Sequence, residues 1–300
     1  MKVVFIGTGA IGLPMAKRIA GGGHAVIGVD PSPEARAKAK AAGIETVKSF
    51  ADTAGADVVV VMVATPAQLA TVVDTALAET GGRKWVAASP FASPATRATW
   101  IVMSTVGPAS VQREGARLQE AGAVVIDAPV TGGTARAATG ELKIFTAGKV
   151  AEIAAVRPVL DTMGEVRVVG DTLGQGQSVK VVNQHLCSVH LAAAGEALAL
   201  ADSLGLDKTA VLDLVKGGAG GSWMLSDRGP RMLLGTDAPV TSTISIFVKD
   251  STLVADAAAA CGAAVPLLDV AKSRFAAASA AGLAVRDDSR VIETYRKPTP

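Results

Sequence analysis

Three hundred residues, 49% of them apolar and 19% charged, give room for about two domains of roughly 150 residues each and a sizeable core. That composition excludes intrinsic disorder, and a net charge of +2 from 29 basic and 27 acidic residues provides no field to hold nucleic acid or an anionic membrane surface. A small neutral or anionic ligand is the expected partner. No apolar run approaches the ~18 residues of a membrane span. The opening MKVVFIGTGAIG passes straight into glycines, so it reads as a first strand rather than a signal. Two cysteines, Cys187 and Cys261, and three histidines, with His185 and His190 five apart on one helical run, predict neither a disulfide framework nor a metal site. Cytoplasm is the default expectation.

In chain order, the runs KVVFIG, AVIGVD, DVVVVMV, WIVMS, AVVIDA, LKIFTAG and VRVVG are separated by Ala-rich helical segments up to about Gly170. This alternation predicts an α/β fold with a doubly wound parallel sheet. Between Gly81 and Trp100 the residues GGRKWVAASPFASPATRATW break the rhythm and predict an extended surface loop. After Gly174, QSVKVVNQHLCSVHLAAAGEALALADSLG reads as one helix of about 30 residues ended by Gly205. From Asp207 to Tyr295 the chain is Ala- and Leu-rich with Gly and Pro punctuation, which predicts a small all-helical domain, and RKPTP after it reads as a frayed tail.

The strongest local signal is the strand KVVFI followed by Gly7-Thr8-Gly9-Ala10-Ile11-Gly12 and the helical LPMAKRIA. Gly7 permits the tight turn, Gly9 lets backbone approach a pyrophosphate, and Gly12 allows close packing of the helix, whose free N–H groups face the phosphates. Asp30 ends the second strand 23 residues after Gly7, where an acid accepts ribose hydroxyls and repels a 2′-phosphate. NAD is therefore favoured over NADP, although Arg36 lies near enough to supply a phosphate partner. Asp30 could also cap the next helix.

Four segments together resemble the signatures of the β-hydroxyacid dehydrogenases: GTGAIGLPMA, Asp127-Ala128-Pro129-Val130-Thr131-Gly132-Gly133, the run Gly174 to Asn183, and Lys249-Asp250. The family includes 3-hydroxyisobutyrate, tartronate semialdehyde and 6-phosphogluconate enzymes. The resemblance covers nearly the whole chain and implies a Rossmann-type dinucleotide-binding domain over 1–173, an interdomain helix over 174–205, and a helical C-terminal domain over 206–300 that binds substrate and pairs subunits in a homodimer or homotetramer. It also implies roles. Lys180 acts as general acid/base, Asn183 orients the substrate through a hydroxyl or carboxylate, Lys249 lies near the nicotinamide or substrate with Asp250 supporting it, and Thr105, in a segment resembling the family's STxxP turn, lines the cofactor crevice.

Each motif also has a reading of its own. Thr131 keeps the hydroxyl of the family's usual serine, and with Gly132 and Gly133 it offers a carboxylate a hydroxyl and two unhindered N–H groups, though a Gly-Gly pair is also an ordinary turn. Lys180 sits among Val179, Val181 and Val182, where partial desolvation eases loss of its proton, though a lone helical lysine is more often a snorkelling surface charge. Gly221-Ser222-Trp223-Met224, Asn183-Gln184-His185-Leu186 and Asp287-Asp288-Ser289 look similar to the members that oxidise L-threonate, a four-carbon sugar acid, to its 2-oxo form. Trp223 would then wall the substrate, or else fill the core. The expected activity is NAD-dependent oxidation of a small hydroxy acid, with 3-hydroxyisobutyrate or tartronate semialdehyde/glycerate as alternative substrates. Imine reduction is disfavoured by Lys180, and a non-catalytic dinucleotide-binding module by Lys180 with Asn183.

Overall fold

The computed structural model describes residues 1–53, 55–78 and 98–295. The tail RKPTP and most of the Gly81–Trp100 segment lie outside them. Thr99 and Trp100 are not loop, as the segment's composition suggested, but a buried strand. Trp100 is wholly buried and meets the edge of Phe50 with ring centroids 5.5 Å apart.

Among the described residues nine strands form the sheet: β1 Lys2–Ile6, β2 Ala25–Val29, β3 Glu45–Val47, β4 Val58–Val61, β5 Thr99–Val102, β6 Val124–Asp127, β7 Val130–Thr131, β8 Leu142–Ala147 and β9 Gly164–Gly170. Their order is β3-β2-β1-β4-β5-β6-β8-β7, with β9 on β8. The first six strands are parallel in the 3-2-1-4-5-6 order of a dinucleotide-binding fold. Beyond them the sheet is mixed: β8 runs antiparallel to β6 and β7, while β9 is parallel to β8. Alternate side chains of each central strand point to opposite faces, so two cores form. Val3 and Phe5 of β1 pack with Met15 and Ile19 on one face, and Val4 and Ile6 pack with Leu69, Val73 and Val111 on the other. The helices that cover these faces are α1 Gly12–Gly21, α2 Pro33–Ala41, α3 Pro66–Ala78, α4 Pro108–Glu120, α5 Gly133–Thr139 and α6 Val150–Leu160.

The chain forms two compact units, Met1–Lys180 and Val181–Pro300. The boundary falls inside α7, Gln175–Ser203, a helix of 29 residues. The second unit continues with α8 Lys208–Val215, α9 Trp223–Met232, α10 Ile244–Cys261 and α11 Pro266–Ala278, then a π-helical turn over Ser279–Leu283 and a 3₁₀ segment over Asp288–Tyr295. Its core joins Leu191, Leu198, Met224, Phe247, Phe275 and Ile292. No helix among the described residues is long and apolar enough to cross a membrane.

Polar groups are also built into the second unit. Arg228 of α9 grips the fully buried Asp288 carboxylate through Nε and Nη2, at 3.1 and 3.0 Å. Arg231 reaches Asp287 at 3.1 Å, and that carboxylate also accepts from Thr241 N and Ser289 N. Burial pushes the Asp288 carboxyl up against the pull of Arg228. Burial would raise Asp287 too, but its bonds from Ser289 and Thr241 and the Arg231 charge hold it below the usual range. Arg290, fully buried, donates to the carbonyls of Arg231, Leu234 and Gly235.

Candidate active site

The loop between β1 and α1 has the form its glycines predict. Gly7 has φ +93°, and a Cβ there would lie 2.2 Å from the Met62 carbonyl oxygen; a Cβ on Gly12 would lie 1.9 Å from the Gly7 carbonyl oxygen. Gly9 differs: its Cβ would meet nothing within 4 Å, so its backbone faces open space. The following turn, through Ala10 to the N-cap Ile11, gives α1 no side-chain cap, and its first turn carries no acidic residue. Leu13 N and Met15 N are held by the carbonyls of Gly9 and Ile11 and Pro14 has no N–H, so what the helix start offers an anion is the positive end of its dipole together with the open backbone of the glycine loop. A cleft of about 720 Å³ lies alongside, lined by Thr8, Gly9, Ala10, Lys17, Ser32 and Lys38.

Asp30 follows β2 and is nearly buried. Its Oδ2 accepts from Thr8 N and its Oδ1 from Ser32 N, each at 2.9 Å, so it ties the glycine loop to the start of α2. The Thr8 hydroxyl adds a longer contact to Oδ2 at 3.5 Å, and since a carboxylate has about four lone-pair sites, an acceptor remains for a ribose hydroxyl. The cap of α2 is not Asp30 but Ser32, whose hydroxyl accepts from Ala35 N at 3.2 Å. Arg36 donates from Nη1 to the carbonyls of Asp30 and Pro31, at 2.8 and 2.9 Å. These residues fit a dinucleotide, with a close backbone approach at Gly9, the positive end of a helix dipole and an acid just after β2.

A buried network not foreseen from sequence sits at the carboxyl ends of β5 and β6. Asp127 Oδ2 accepts from Gly174 N and Gln177 N, and its Oδ1 from Gln177 Nε2, all at 3.0 Å. Gln177 also donates to the Ser104 carbonyl at 2.9 Å and accepts from Val106 N and Gly107 N, at 3.0 and 3.1 Å. The Ser104 hydroxyl accepts from Val63 N at 2.7 Å. One amide thus pins the first turn of α7 and the loop carrying Thr105 to the sheet. Burial pushes the Asp127 carboxyl up to about 6, although the N–H groups of Gln177 and Gly174 pull it down. The sequence signal for this network is Gln177 within the Gly174–Asn183 run, since an amide with four bonding sites suits a junction of loops.

Thr131 ends the two-residue β7, so the run VVIDAPV is two strands rather than one, turning at Ala128-Pro129. Gly132 and Gly133 both take positive φ, +136° and +69°. A Cβ on Gly132 would crowd Arg136 at 2.9 Å, whereas one on Gly133 meets nothing within 4 Å. Gly132 caps α5 without a side chain, leaving the backbone donors there uncapped.

On α7 Lys180 is 6% exposed, which removes the snorkelling surface-charge reading. Asn183 follows three residues later on the same helical face. Asn183 Nδ2 donates to Gln184 Oε1 at 2.8 Å and to Cys187 Sγ at 3.4 Å, and Gln184 Nε2 donates to Asp250 Oδ2. Lys249 Nζ stands 2.7 Å from Asp250 Oδ1, a charge contact not aligned as a hydrogen bond. Trp223 opens α9 and is 52% exposed, so it is not a core residue; the Arg228 guanidinium lies 5.5 Å from its ring centroid. His185 and His190 are both partly buried on α7.

A family model described as the NAD binding domain of 6-phosphogluconate dehydrogenase matches residues 2–182, and one described as NAD-binding of NADP-dependent 3-hydroxyisobutyrate dehydrogenase matches residues 174–295. L-Threonate dehydrogenase from Haemophilus influenzae is 36% identical over 98% of this chain and 95% of its own length. The chain belongs to the 3-hydroxyisobutyrate dehydrogenase family. As a member it is an NAD-dependent hydroxyacid dehydrogenase. A probable 3-hydroxyisobutyrate dehydrogenase of the family from Mycobacterium bovis is 32% identical over 98% of this chain and 97% of its own. The solved 3-hydroxyisobutyrate dehydrogenase from Salmonella typhimurium is 34% identical with a TM-score of 0.84, covering 98% of this chain and 99% of that one. An imine reductase from Pseudomonas sp. shares the fold alone, at 17% identity and TM-score 0.59.

Proposed function

We propose that this dehydrogenase oxidises a four-carbon sugar acid, L-threonate, to its 2-oxo acid, with Lys180 as general acid/base. The observation that carries the reading is a buried lysine one helical turn before Asn183 on α7. Removed from bulk water, an ammonium gives up its proton more readily, and the neutral amine can then take the proton of the substrate alcohol. NAD, when bound, supplies the hydride acceptor. Gly7, Gly9, Ala10, Ile11 and Gly12 hold its pyrophosphate, Asp30 its ribose, and Thr105 and Lys249 the nicotinamide end. Thr131, Gly132 and Gly133 hold the substrate carboxylate, and Trp223 walls the substrate.

Curated relatives named L-threonate dehydrogenase, at 34–36% identity over nearly the whole chain, support the substrate. A second reading, 3-hydroxyisobutyrate, draws on the name of the Salmonella structure. Steady-state assays with NAD separate the two. L-Threonate should exceed 3-hydroxyisobutyrate and glycerate in kcat/KM, and the methyl ester of L-threonate should react far more slowly than the acid, because it leaves the donors of the Thr131 turn poorly paired. Preference for 3-hydroxyisobutyrate would overturn the substrate, and equal rates for acid and ester would overturn the carboxylate anchor.

The same reading divides the chain into a dinucleotide-binding domain over 1–173, an interdomain helix over 174–205 and a helical domain over 206–300, working in the cytoplasm. It also makes the enzyme a homodimer or homotetramer. Val182, Leu186 and Leu200 lie exposed along α7 and Leu204 just past its end, and a second copy of this chain is the partner that would cover them.

A further inference from the structure

We propose that Gln177 is a positioning residue for the reaction: its amide fixes the turn of α7 that carries Lys180 against the carboxyl ends of the central strands, and a carboxylate of the same shape cannot do so. The inference rests on the proposed role of Lys180. Along the first turns of α7 the buried residues are Gly174, Gly176, Gln177 and Lys180, so amide and lysine lie three residues apart on one helical face. All four belong to the first unit, Met1–Lys180. The orientation of the amide is forced. Val106 N and Gly107 N can only donate, and Oε1 meets both; the Ser104 carbonyl and Asp127 Oδ1 accept, and Nε2 meets both. Gln177 is wholly buried, and its two hydrogens and two acceptor sites are all engaged.

The partners of the amide come from different strands. Ser104 and Val106 follow β5, Asp127 ends β6, and the Ser104 hydroxyl accepts from Val63 N and donates to Val61 O at the end of β4. Backbone packing closes the same joint from another side. A Cβ on Gly176 would lie 2.5 Å from the Phe145 carbonyl oxygen of β8 and 3.0 Å from Asp127 Cγ, so α7 meets the sheet with no side chain between them. A lysine one turn beyond this anchor has its main chain held to the sheet, and a reacting group misplaced by about 1 Å loses ~10²-fold in rate. Glutamate at 177 would set its second oxygen against Asp127 Oδ1 and the Ser104 carbonyl, and two carboxylates there stay together only by sharing a proton. Asp127 is the titratable side chain bonded to the amide, and Lys180 is the next charged one along α7. The 104–107 turn and β8 present main-chain atoms, and α4 adds the neutral Gln112, which donates to the Leu173 carbonyl at 3.1 Å.

The test is single-turnover hydride transfer on the full-length enzyme with NAD and whichever hydroxy acid it oxidises fastest, read between about pH 6 and pH 9 beside an NAD titration. Gln177→Glu should be slower than the unmodified enzyme by about 10-fold at the acid end, where one carboxyl keeps the shared proton, and by at least ~10²-fold at the alkaline end. Its affinity for NAD should stay near that of the unmodified enzyme, because the glycine loop and Asp30 are untouched. Adding Asp127→Asn to Gln177→Glu exchanges donor and acceptor across the same contact; it should regain at least ~10-fold of the rate at the alkaline end and remove the extra pH dependence. A merely structural role would lower Tm while leaving the rate per folded enzyme and its pH profile unchanged. That result overturns the inference, as does a deficit in Gln177→Glu that Asp127→Asn fails to relieve. If Gln177→Glu does not fold, Asp127→Asn alone decides: it sets an NH₂ against other donors and should slow transfer at least ~10-fold, and an unchanged rate rejects the positioning role. Near-normal transfer in Lys180→Ala removes the reading on which the inference rests, whereas slow transfer there beside an unimpaired Gln177→Glu rejects the inference alone.

Discussion

Lys180 stands among valines on α7, and its near-complete burial separates it from the many helical lysines that only cover apolar surface. If it moves the proton, Lys180→Ala should lower kcat at least ~10²-fold while the dissociation constant for NAD stays within about twofold, because the substitution removes no group proposed to hold the cofactor. Single-turnover hydride transfer alongside an NAD titration checks both halves, and a near-normal kcat rejects the assignment. Asp30 calls for a different expectation now that its partners are known. Its carboxylate holds Thr8 N and Ser32 N, so Asp30→Ser loosens the phosphate loop as well as removing a ribose acceptor. The ratio of kcat/KM for NADP over NAD should rise at least ~10-fold, with activity on both cofactors reduced; adding Arg at Pro31 should raise the ratio further. A variant that keeps full NAD activity would show that Asp30 serves neither purpose.

Among the elements, those with the strongest patterns were legible in the sequence: β1, β2, β4, β5, β6, β8, β9 and the 29-residue α7 all lie on runs that stand out by composition. β3, Glu45–Val47, was not, because three residues carry too little periodicity to register. The reversal at β8 was also hidden, since strand direction depends on pairing rather than on composition. In the site, the glycine loop and the lysine were legible through their motifs, while the junction of Asp127, Gln177 and Ser104 was not, because it joins residues up to 73 positions apart. That junction has a measurable pH signature. With its carboxyl raised to about 6 by burial, Asp127 contributes stability that is complete below the unfolded-state value near 3.8 and is lost as pH rises through about 6. The difference in Tm between the parent enzyme and Asp127→Asn should therefore be most favourable to the parent near pH 4 and shrink by pH 7. A difference independent of pH would mean that Asp127 stays ionised throughout.

For the whole molecule, the sequence indicated two regions of different character, and the structure adds that each carries its own kind of reinforcement. The first unit rests on two apolar cores either side of the sheet. The second supplements one apolar core with charges buried in ordered pairs, an arrangement that composition cannot reveal because it depends on which aspartate meets which arginine. Asp288→Asn, which leaves Arg228 short of a buried carboxylate, should destabilise the enzyme by about 3 kcal/mol, read from the urea midpoint; a shift within error would show the pair to be dispensable. If a second copy covers α7, Leu200→Glu combined with Leu204→Glu should reduce the mass found by light scattering to that of one chain, and an unchanged assembly would place the contact elsewhere.

The arginine pairs also bear on the order in which the molecule takes shape during synthesis. Asp227, Arg228 and Arg231 leave the ribosome on α9, but Asp287 and Asp288 follow 56 to 60 residues later, a delay of several seconds at roughly 5–20 residues per second. Until then Asp227 is the one carboxylate on α9 that answers both arginines, so closing the second unit early would bury an uncompensated positive charge. Every strand of the nucleotide-binding sheet, by contrast, lies within the first 170 residues. The nascent chain can thus acquire its cofactor-binding half while the half proposed to choose the substrate is still being translated.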